Sequence, residues 1–238
     1  PHSEQLNKKK TGTDALLTSL IRNKQVYTKF LEENGLTVPR SELFSDKSDL
    51  HLLLSHYKDQ YVIVKNRYES ASIGMTDKNV FRLCQNSLQH LNNLLKEMCT
   101  DSLLVQEYID GIECEVLVLQ YKGKYYALDP VQILFKTNLN FIDTDTSNTY
   151  NYEFKVIESS IKFLLQATAQ KAAELLGVKD YARFDFRIKK GVPYLFDIAG
   201  TPYTIYHRSI SYLFTQYYQM PDENIYMVIV ACMLSNFE

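Results

Sequence analysis

Asp185 and Asp197 are the residues of this chain best placed to do chemistry. They lie in two alternating segments on either side of Lys189-Lys190-Gly191, a pattern that reads as a β-hairpin. In the first segment Arg183, Asp185 and Arg187 share one face, and Phe184, Phe186 and Ile188 the other. In the return segment Leu195, Asp197 and Ala199 alternate with Tyr194, Phe196 and Ile198. A turn centred on Gly191 sets Asp185 directly opposite Asp197, with Cβ atoms about 5 Å apart. Two carboxylates so placed repel one another unless a cation lies between them. A Mg²⁺ held by carboxylates and substrate phosphates suits that arrangement. Spacing alone favours a plainer reading, a solvated face on which Arg183 and Arg187 neutralise the aspartates. A four-residue turn shifts the register by one and separates the pair.

A second chemical signal is Lys65, which ends the apolar run Tyr61-Val62-Ile63-Val64 and precedes Ser70-Ala71-Ser72-Ile73-Gly74-Met75. A loop of small residues can bring backbone N–H groups up to phosphate oxygens while the lysine supplies charge. Lys24 and Lys155, each taken alone, read as surface lysines. His207 and Arg208 follow a proline-containing loop and either bind an anion or stand exposed.

These residues need elements to hold them. Helical periodicity runs from about Asp14 to Asn34, with Thr13 as cap and Gly35 and Pro39 as stop signals. A short helix is predicted at 50–58 and a strand at 61–64. The spacing of Val80, Leu83, Cys84, Leu88, Leu91, Leu95 and Met98 predicts one long helix from Thr76 to Met98. Leu103-Leu104-Val105 reads as a strand. From Glu113 to Gln120, Glu113 and Glu115 alternate with Cys114, Val116 and Val118, predicting a half-buried strand. Residues 125–135 continue in β structure, and 136–151 form a polar loop. A helix follows from about Ser160 to Leu176, stopped by Gly177. At least one amphipathic helix ends the chain. Helices mixed with antiparallel hairpins in this order imply an α+β fold.

The composition narrows the function classes. The chain has 238 residues, of which 45% are hydrophobic and 23% charged, enough apolar surface to exclude a disordered chain. Its net charge of -2 offers no basic excess for nucleic acid. No apolar run approaches the ~20 residues that cross a bilayer, so no membrane partner is expected. Cys84, Cys99, Cys114 and Cys232 are scattered without a metal or redox spacing, which points to a reducing, cytoplasmic setting. No oligomeric state follows from the pattern.

The order of the motifs says more than any one of them. Residues 11–238 resemble the ATP-grasp superfamily, and within it the D-alanine–D-alanine ligase type. Thr11-Gly12-Thr13 through Ile21-Arg22-Asn23-Lys24 is similar to that family's Thr-Gly-Ser approach to an Asp-Lys pair. Gly35-Leu36-Thr37-Val38-Pro39 resembles its Gly-(Leu/Ile)-Pro-x-Pro turn. Val62-Ile63-Val64-Lys65, followed by Glu69 to Met75, resembles Val-Ile-Val-Lys-Pro and the later Glu-Gly-Ser-Ser-x-Gly. Gln106-Glu107-Tyr108-Ile109, followed by Asp110 to Glu113, resembles the adenine hinge and its acid. Tyr150 to Lys155 resembles Tyr-Asp-Tyr-x-x-Lys. Ala182 to Asp185 is similar to Gly-Arg-x-Asp, and Phe196 to Pro202 to Leu-Glu-x-Asn-x-x-Pro.

The resemblance implies an ATP-grasp fold of two β-rich lobes with the nucleotide between them. It implies a lead-in at 1–23, a small lobe at 24–108 and a large catalytic lobe at 109–238. Lys24 and Lys65 would contact the ATP phosphates, with Ser72 and Gly74 in the loop that covers them. Gln106, Glu107, Tyr108 and Ile109 would hold the adenine, and Glu113 the ribose. Lys155 would act near the γ-phosphate, Asp185 and Asp197 would bind Mg²⁺, and Arg183 would stabilise the acyl-phosphate and tetrahedral species. The implied activity is ADP-forming ligation of a carboxylate, such as an amino acid, to an amine.

Several positions depart from the family pattern. Ala199 stands where the family has a metal-binding Asn, Tyr203 where a Gly follows the Pro, and Gln106 where an acid is usual. Ala71 and Val156 replace a Ser and a Tyr that orient the first D-alanine. Residues 1–23 leave almost no room for the family's N-terminal domain. The chain is thus expected to be a piece of a longer protein or to build its substrate site differently. A D-alanine–D-alanine ligase fragment and a nucleotide-binding module without turnover stay open beside the leading reading.

Overall fold

The computed structural model describes residues 10–45, 50–68, 74–136 and 140–237. Two antiparallel sheets organise them. The smaller has strand order β1-β4-β2-β3, from Ser41–Phe44 (β1), Tyr61–Asn66 (β2), Val80–Arg82 (β3) and Leu103–Glu107 (β4). The larger runs β10-β9-β5-β7-β8, with β6 also paired to β5. Its strands are Ile112–Tyr121 (β5), Lys124–Ala127 (β6), Val131–Phe135 (β7), Tyr152–Val156 (β8), Tyr181–Lys189 (β9) and Val192–Ala199 (β10). The architecture is α+β, as the motif order implies.

The large sheet explains how a site comes to lie on it. One face of β5 and β9, carrying Cys114, Val116, Val118, Ala182, Phe184 and Phe186, is buried against helix Ile161–Leu176 and the N-terminal helices. The other face is split. At one end Leu117 and Tyr181 pack with Ile225 and Ile229 of the C-terminal helix Glu223–Ser235. At the other end the same face presents Glu113, Glu115, Arg183, Asp185 and Arg187, which line a cleft. β5 is therefore buried on both faces and not half-solvated as alternation predicts. Its acidic residues are enclosed by a site instead of facing solvent.

Besides the short helix Thr144–Thr149 inside the expected loop 136–151, three sequence expectations differ from the structure. The segment read as one N-terminal helix is two, Ala15–Arg22 and Lys24–Glu33. Asn23, at ψ 85°, leaves the helical region between them. The cap is Asp14, whose carboxylate accepts from the Leu17 N–H, and not Thr13. The break makes Lys24 the buried first residue of a helix. Second, Tyr27, Leu31 and Leu36 join the core of the large sheet, so residues 24–36 do not pack in the small lobe where the family boundary puts them. Third, residues 76–98 are not one helix. Val80–Arg82 pairs with β2, and only Leu88–Glu97 is α-helical. Extended pairing captures Val80 and Phe81 because a β-branched and an aromatic residue fit a strand edge better than a helix turn.

Candidate active site

The hairpin β9–β10 builds the floor. Its turn is the two-residue loop Lys190-Gly191, both at positive φ (51° and 78°), the form that matches strand twist. This register pairs Leu195 with Phe186 and by continuation would set Phe196 opposite Asp185. A bulge at Phe196 absorbs one residue, and Asp197 becomes the partner of Asp185. The expected pairing therefore exists, but by a shorter turn plus a bulge and not by a turn centred on Gly191. The bulge also corrects the face of Leu195, which is fully buried in the core and does not share a side with Asp197. Phe196 turns into the cleft, where its ring lies 4.9 Å from the Lys65 ammonium.

Each floor carboxylate is held by a cation. Arg183 grips Asp185 bidentately at 2.7 and 2.8 Å and reaches Glu115 at 3.4 Å. Lys24 donates to Asp197 at 2.5 Å, and the Tyr27 hydroxyl donates to the same oxygen at 3.2 Å. Arg187 pairs with Glu113 at 2.5 Å, donates to the carbonyls of Ile109 and Asn140, and lies over the Tyr108 ring. Arg187 therefore does not neutralise an aspartate, as the plainer reading has it; Lys24 takes that part from the other end of the chain. The two aspartates respond oppositely. Burial raises Asp185 to about 6 against the opposing Arg183, with Glu115 and Asp197 adding to the rise. Burial also acts to raise Asp197, but Lys24 and Lys65 outweigh it and hold its pKa below the usual range. Burial raises Glu113 despite Arg187.

The small sheet forms the roof. Lys65 and Gln106 come from neighbouring strands β2 and β4, and the Lys65 ammonium donates to the Gln106 amide oxygen at 3.0 Å. Burial lowers Lys65 to about 8. Gln106, Glu107, Tyr108 and Ile109 all line the cleft, and Ile63, Met75 and Phe141 supply an apolar wall. The main-chain N–H of Tyr108 is already spent on the Tyr61 carbonyl, so this residue offers its ring and not that donor.

The structure thus brings together Lys24, Lys65, Gln106, Glu107, Tyr108, Ile109, Glu113, Arg183, Asp185 and Asp197. Lys155 does not join them. On β8, Tyr152 and Phe154 line an adjoining cavity, while Lys155 alternates to the exposed side with Glu153. Gly74 is an exposed turn residue at φ 74°, next to Met75 in the wall, and Ser72 lies outside the described residues. Sequence reasoning missed Tyr27, Phe141 and the anchoring part played by Glu115 and Arg187. Signals for the last two existed, since Glu115 alternates with core residues and Arg187 shares the face of Asp185. Phe141 had only its apolar character inside a polar loop.

Among the described residues no group of three or more His, Cys, Asp or Glu is arranged to hold a metal ion. Asp185 and Asp197 are hard oxygen donors on one face, and Ala199 adds none. The donor set fits one Mg²⁺ whose remaining ligands come from phosphate and water, and it is too small for a second ion of the same kind. Chemically, the arrangement suits a polyanion: three cations, Lys24, Lys65 and Arg183, converge over adjacent carboxylates in an enclosed cleft.

A family model described as the D-ala D-ala ligase C-terminus matches residues 33–213. The D-alanine–D-alanine ligase of Aquifex aeolicus is 24% identical over 181 residues, which is 76% of this chain and 58% of that protein. The same enzyme of Maridesulfovibrio salexigens is 27% identical over 202 residues, 83% of this chain and 63% of the relative. The chain thus spans about three-fifths of the length of these relatives. The crystal structure of the Bacillus anthracis D-alanine–D-alanine ligase complexed with ATP superposes with a TM-score of 0.75 at 17% identity. It covers 98% of this chain and 72% of that one. The VanG D-Ala:D-Ser ligase of Enterococcus faecalis also gives 0.75, at 15% identity, over 97% and 66% of the two chains. At such identities the structural likeness shows a shared fold.

Proposed function

Because the chain belongs to the D-ala D-ala ligase C-terminus family, we propose that it is the nucleotide-binding part of an ATP-dependent carboxylate–amine ligase. The supporting observation is the convergence of Lys24, Lys65 and Arg183 over the Asp185–Asp197 pair, beside an apolar wall. The adenine lies against Gln106 to Ile109, with the apolar wall of Ile63, Met75 and Phe141 beside it, and Glu113 faces the ribose. Lys24 and Lys65 take the phosphates, which relieves Lys65 of an environment unfavourable to its charge. Asp185 and Asp197 would hold a Mg²⁺, which when bound would offset charge on the transferring phosphoryl group.

In the reaction a substrate carboxylate oxygen forms a bond to the γ-phosphorus as the bond to ADP breaks. The amine lone pair then attacks the acyl carbon, phosphate leaves with its bonding electrons, and the ammonium gives up a proton. Arg183, fixed by Asp185 and Glu115, is preorganised to stabilise negative oxygen in both steps. No protein nucleophile is required, because positioning and charge neutralisation carry phosphoryl transfer. ADP release in the presence of Mg²⁺, ATP and a panel of amino acids tests the reading, and absence of any amine-dependent release would overturn it.

One observation favours a second reading, a nucleotide-binding module without turnover. Both floor aspartates are already occupied by protein cations, and Ala199 withholds a third oxygen donor. Tight ATP binding with no turnover would select that reading.

A further inference from the structure

Asp197 is held by three donors, and all of them meet one of its two oxygens. The Lys24 ammonium donates to Oδ1 at 2.5 Å, the Ile198 main-chain N–H at 3.0 Å and the Tyr27 hydroxyl at 3.2 Å. Among the described residues these are its donors, and Oδ2 takes none of them. Asp185 differs, because Arg183 occupies both of its oxygens. Oδ2 of Asp197 is thus the open oxygen of the pair.

The three donors are not equivalent. The Ile198 N–H belongs to the same strand and moves with Asp197. Lys24 lines the nucleotide cleft, and on the proposed reading its ammonium turns to the phosphates. Tyr27 is free of that demand. Its ring is fully buried in the core of the large sheet with Leu31 and Leu36, and its hydroxyl reaches the floor from behind. Among the described residues that line the nucleotide cleft, Lys24 is one and Tyr27 is not. The two are i and i+3 on helix Lys24–Glu33, so one helix face brings both to Asp197. The other acceptor near the hydroxyl is the Phe196 carbonyl at 3.5 Å. A phenol has one proton to give, and the nearer, charged oxygen takes it.

We propose that Tyr27 is a positioning residue for the metal site: its hydroxyl pins Oδ1 of Asp197 and so presents Oδ2 to the Mg²⁺ that accompanies the nucleotide. The inference rests on the nucleotide-binding reading of the cleft and deepens it, but its test does not need turnover. A hydrogen bond also draws charge from a carboxylate, which by itself weakens a metal ligand. Orientation outweighs that loss where the carboxylate is free to rotate. Groups that hydrogen-bond a metal ligand contribute about 10–100-fold in metal affinity.

The test is calorimetric. Binding of the β,γ-imido analogue of ATP is measured with and without Mg²⁺, and the ratio of the two affinities is the contribution of the metal. In Tyr27→Phe the metal-free affinity should stay within about twofold of wild type, while the ratio falls about tenfold. A purely structural role for Tyr27 would lower both affinities together and leave the ratio unchanged. In an Asp197→Asn background the ratio is already low. Adding Tyr27→Phe there should change it no further, because the tyrosine acts through that carboxylate. Should Tyr27→Phe fail to fold, 3-fluorotyrosine placed at position 27 keeps the hydroxyl. Its ¹⁹F resonance should move when Mg²⁺ joins the bound analogue, and should not move in Asp197→Asn. A ratio unchanged or raised in Tyr27→Phe, a further loss in the Asp197→Asn background, or a ¹⁹F line that ignores Mg²⁺ overturns the proposal. Failure of the nucleotide reading looks different: the wild type would bind no analogue with or without the metal, and the proposal would fall with it.

Discussion

On the large-sheet side of the cleft Arg183, Arg187 and Lys24 each already hold a carboxylate. On the small-sheet side the contacts of Lys65 among the described residues are a neutral amide oxygen and the face of Phe196. The floor is thus electrostatically complete before any ligand arrives, and the roof is not. A completed ion-pair network fixes geometry but leaves little to gain from a ligand, whereas an under-compensated buried lysine gains much from a phosphate. Positioning is assigned to one sheet and affinity to the other.

The strongest way to break this contrast is Asp197→Asn. Turnover should fall by about a hundredfold or more, because a metal-binding carboxylate and the partner of Lys24 are lost together. Stability should also fall, by about 1–3 kcal/mol, since Lys24 is left buried beside an uncharged amide. Repulsion between the two aspartates alone would predict almost no loss. The Lys24 pair reverses that expectation, and urea unfolding at neutral pH decides between them.

Lys65→Met tests the roof. Nucleotide affinity, read by titration calorimetry, should drop at least about tenfold. The nucleotide-free protein should become more stable by about 1–2 kcal/mol, because burial disfavours the ammonium that is removed. A variant that loses stability would show Lys65 to be as well compensated as the floor cations.

How far the sequence carried the site depended on the kind of information each residue needs. Asp185, Asp197, Arg183 and Glu113 were legible because strand alternation is local, and once two segments read as a hairpin their faces follow. Even there the bulge at Phe196 was invisible, since no residue type demands it and only the competition between turn and register reveals it. The split of the N-terminal helix at Asn23 was hidden for a related reason. Periodicity continues across it, and the break is imposed by packing that carries Lys24 to Asp197 across 173 positions of chain. Residues 76–98 misled because apolar spacing compatible with a helix also serves a short edge strand followed by a helix.

A subtler probe uses the opposite displacement of the two aspartates. Asp185, raised to about 6 from the ordinary carboxylate range, binds its proton more tightly in the folded protein than in the unfolded chain. Its contribution to stability is therefore fully present below the unfolded pKa and is lost as pH rises through about 6. Asp197 works in reverse, contributing above its unfolded pKa and losing that contribution in more acidic solution. The stability difference between wild type and Asp185→Asn should shift by about 1–2 kcal/mol between pH 4 and pH 7, in favour of wild type at the acid end. Denaturant unfolding at the two pH values measures it, and no shift would mean that Arg183 fully offsets the burial of Asp185.

The smallest effect is expected at Lys155, where the family resemblance and the structure disagree most directly. The resemblance sets this lysine near the γ-phosphate. On β8, however, its side chain alternates away from Tyr152 and Phe154, which line the second cavity, and it lies exposed on the same side as Glu153. β8 is an edge strand held to β7 through five consecutive pairings, Lys155 opposite Gln132 among them. Turning the lysine into the cleft requires slipping that register by one, which would drive Glu153 inward and expose Tyr152. Exposed lysines away from a site change stability by less than about 0.5 kcal/mol when truncated. Lys155→Ala should therefore leave unfolding free energy within that margin, nucleotide affinity unchanged and ADP release within about twofold of wild type. A large fall in ADP release with intact nucleotide binding would mean that β8 leaves its register during turnover, and the charged floor would no longer account for phosphoryl transfer without a further lysine.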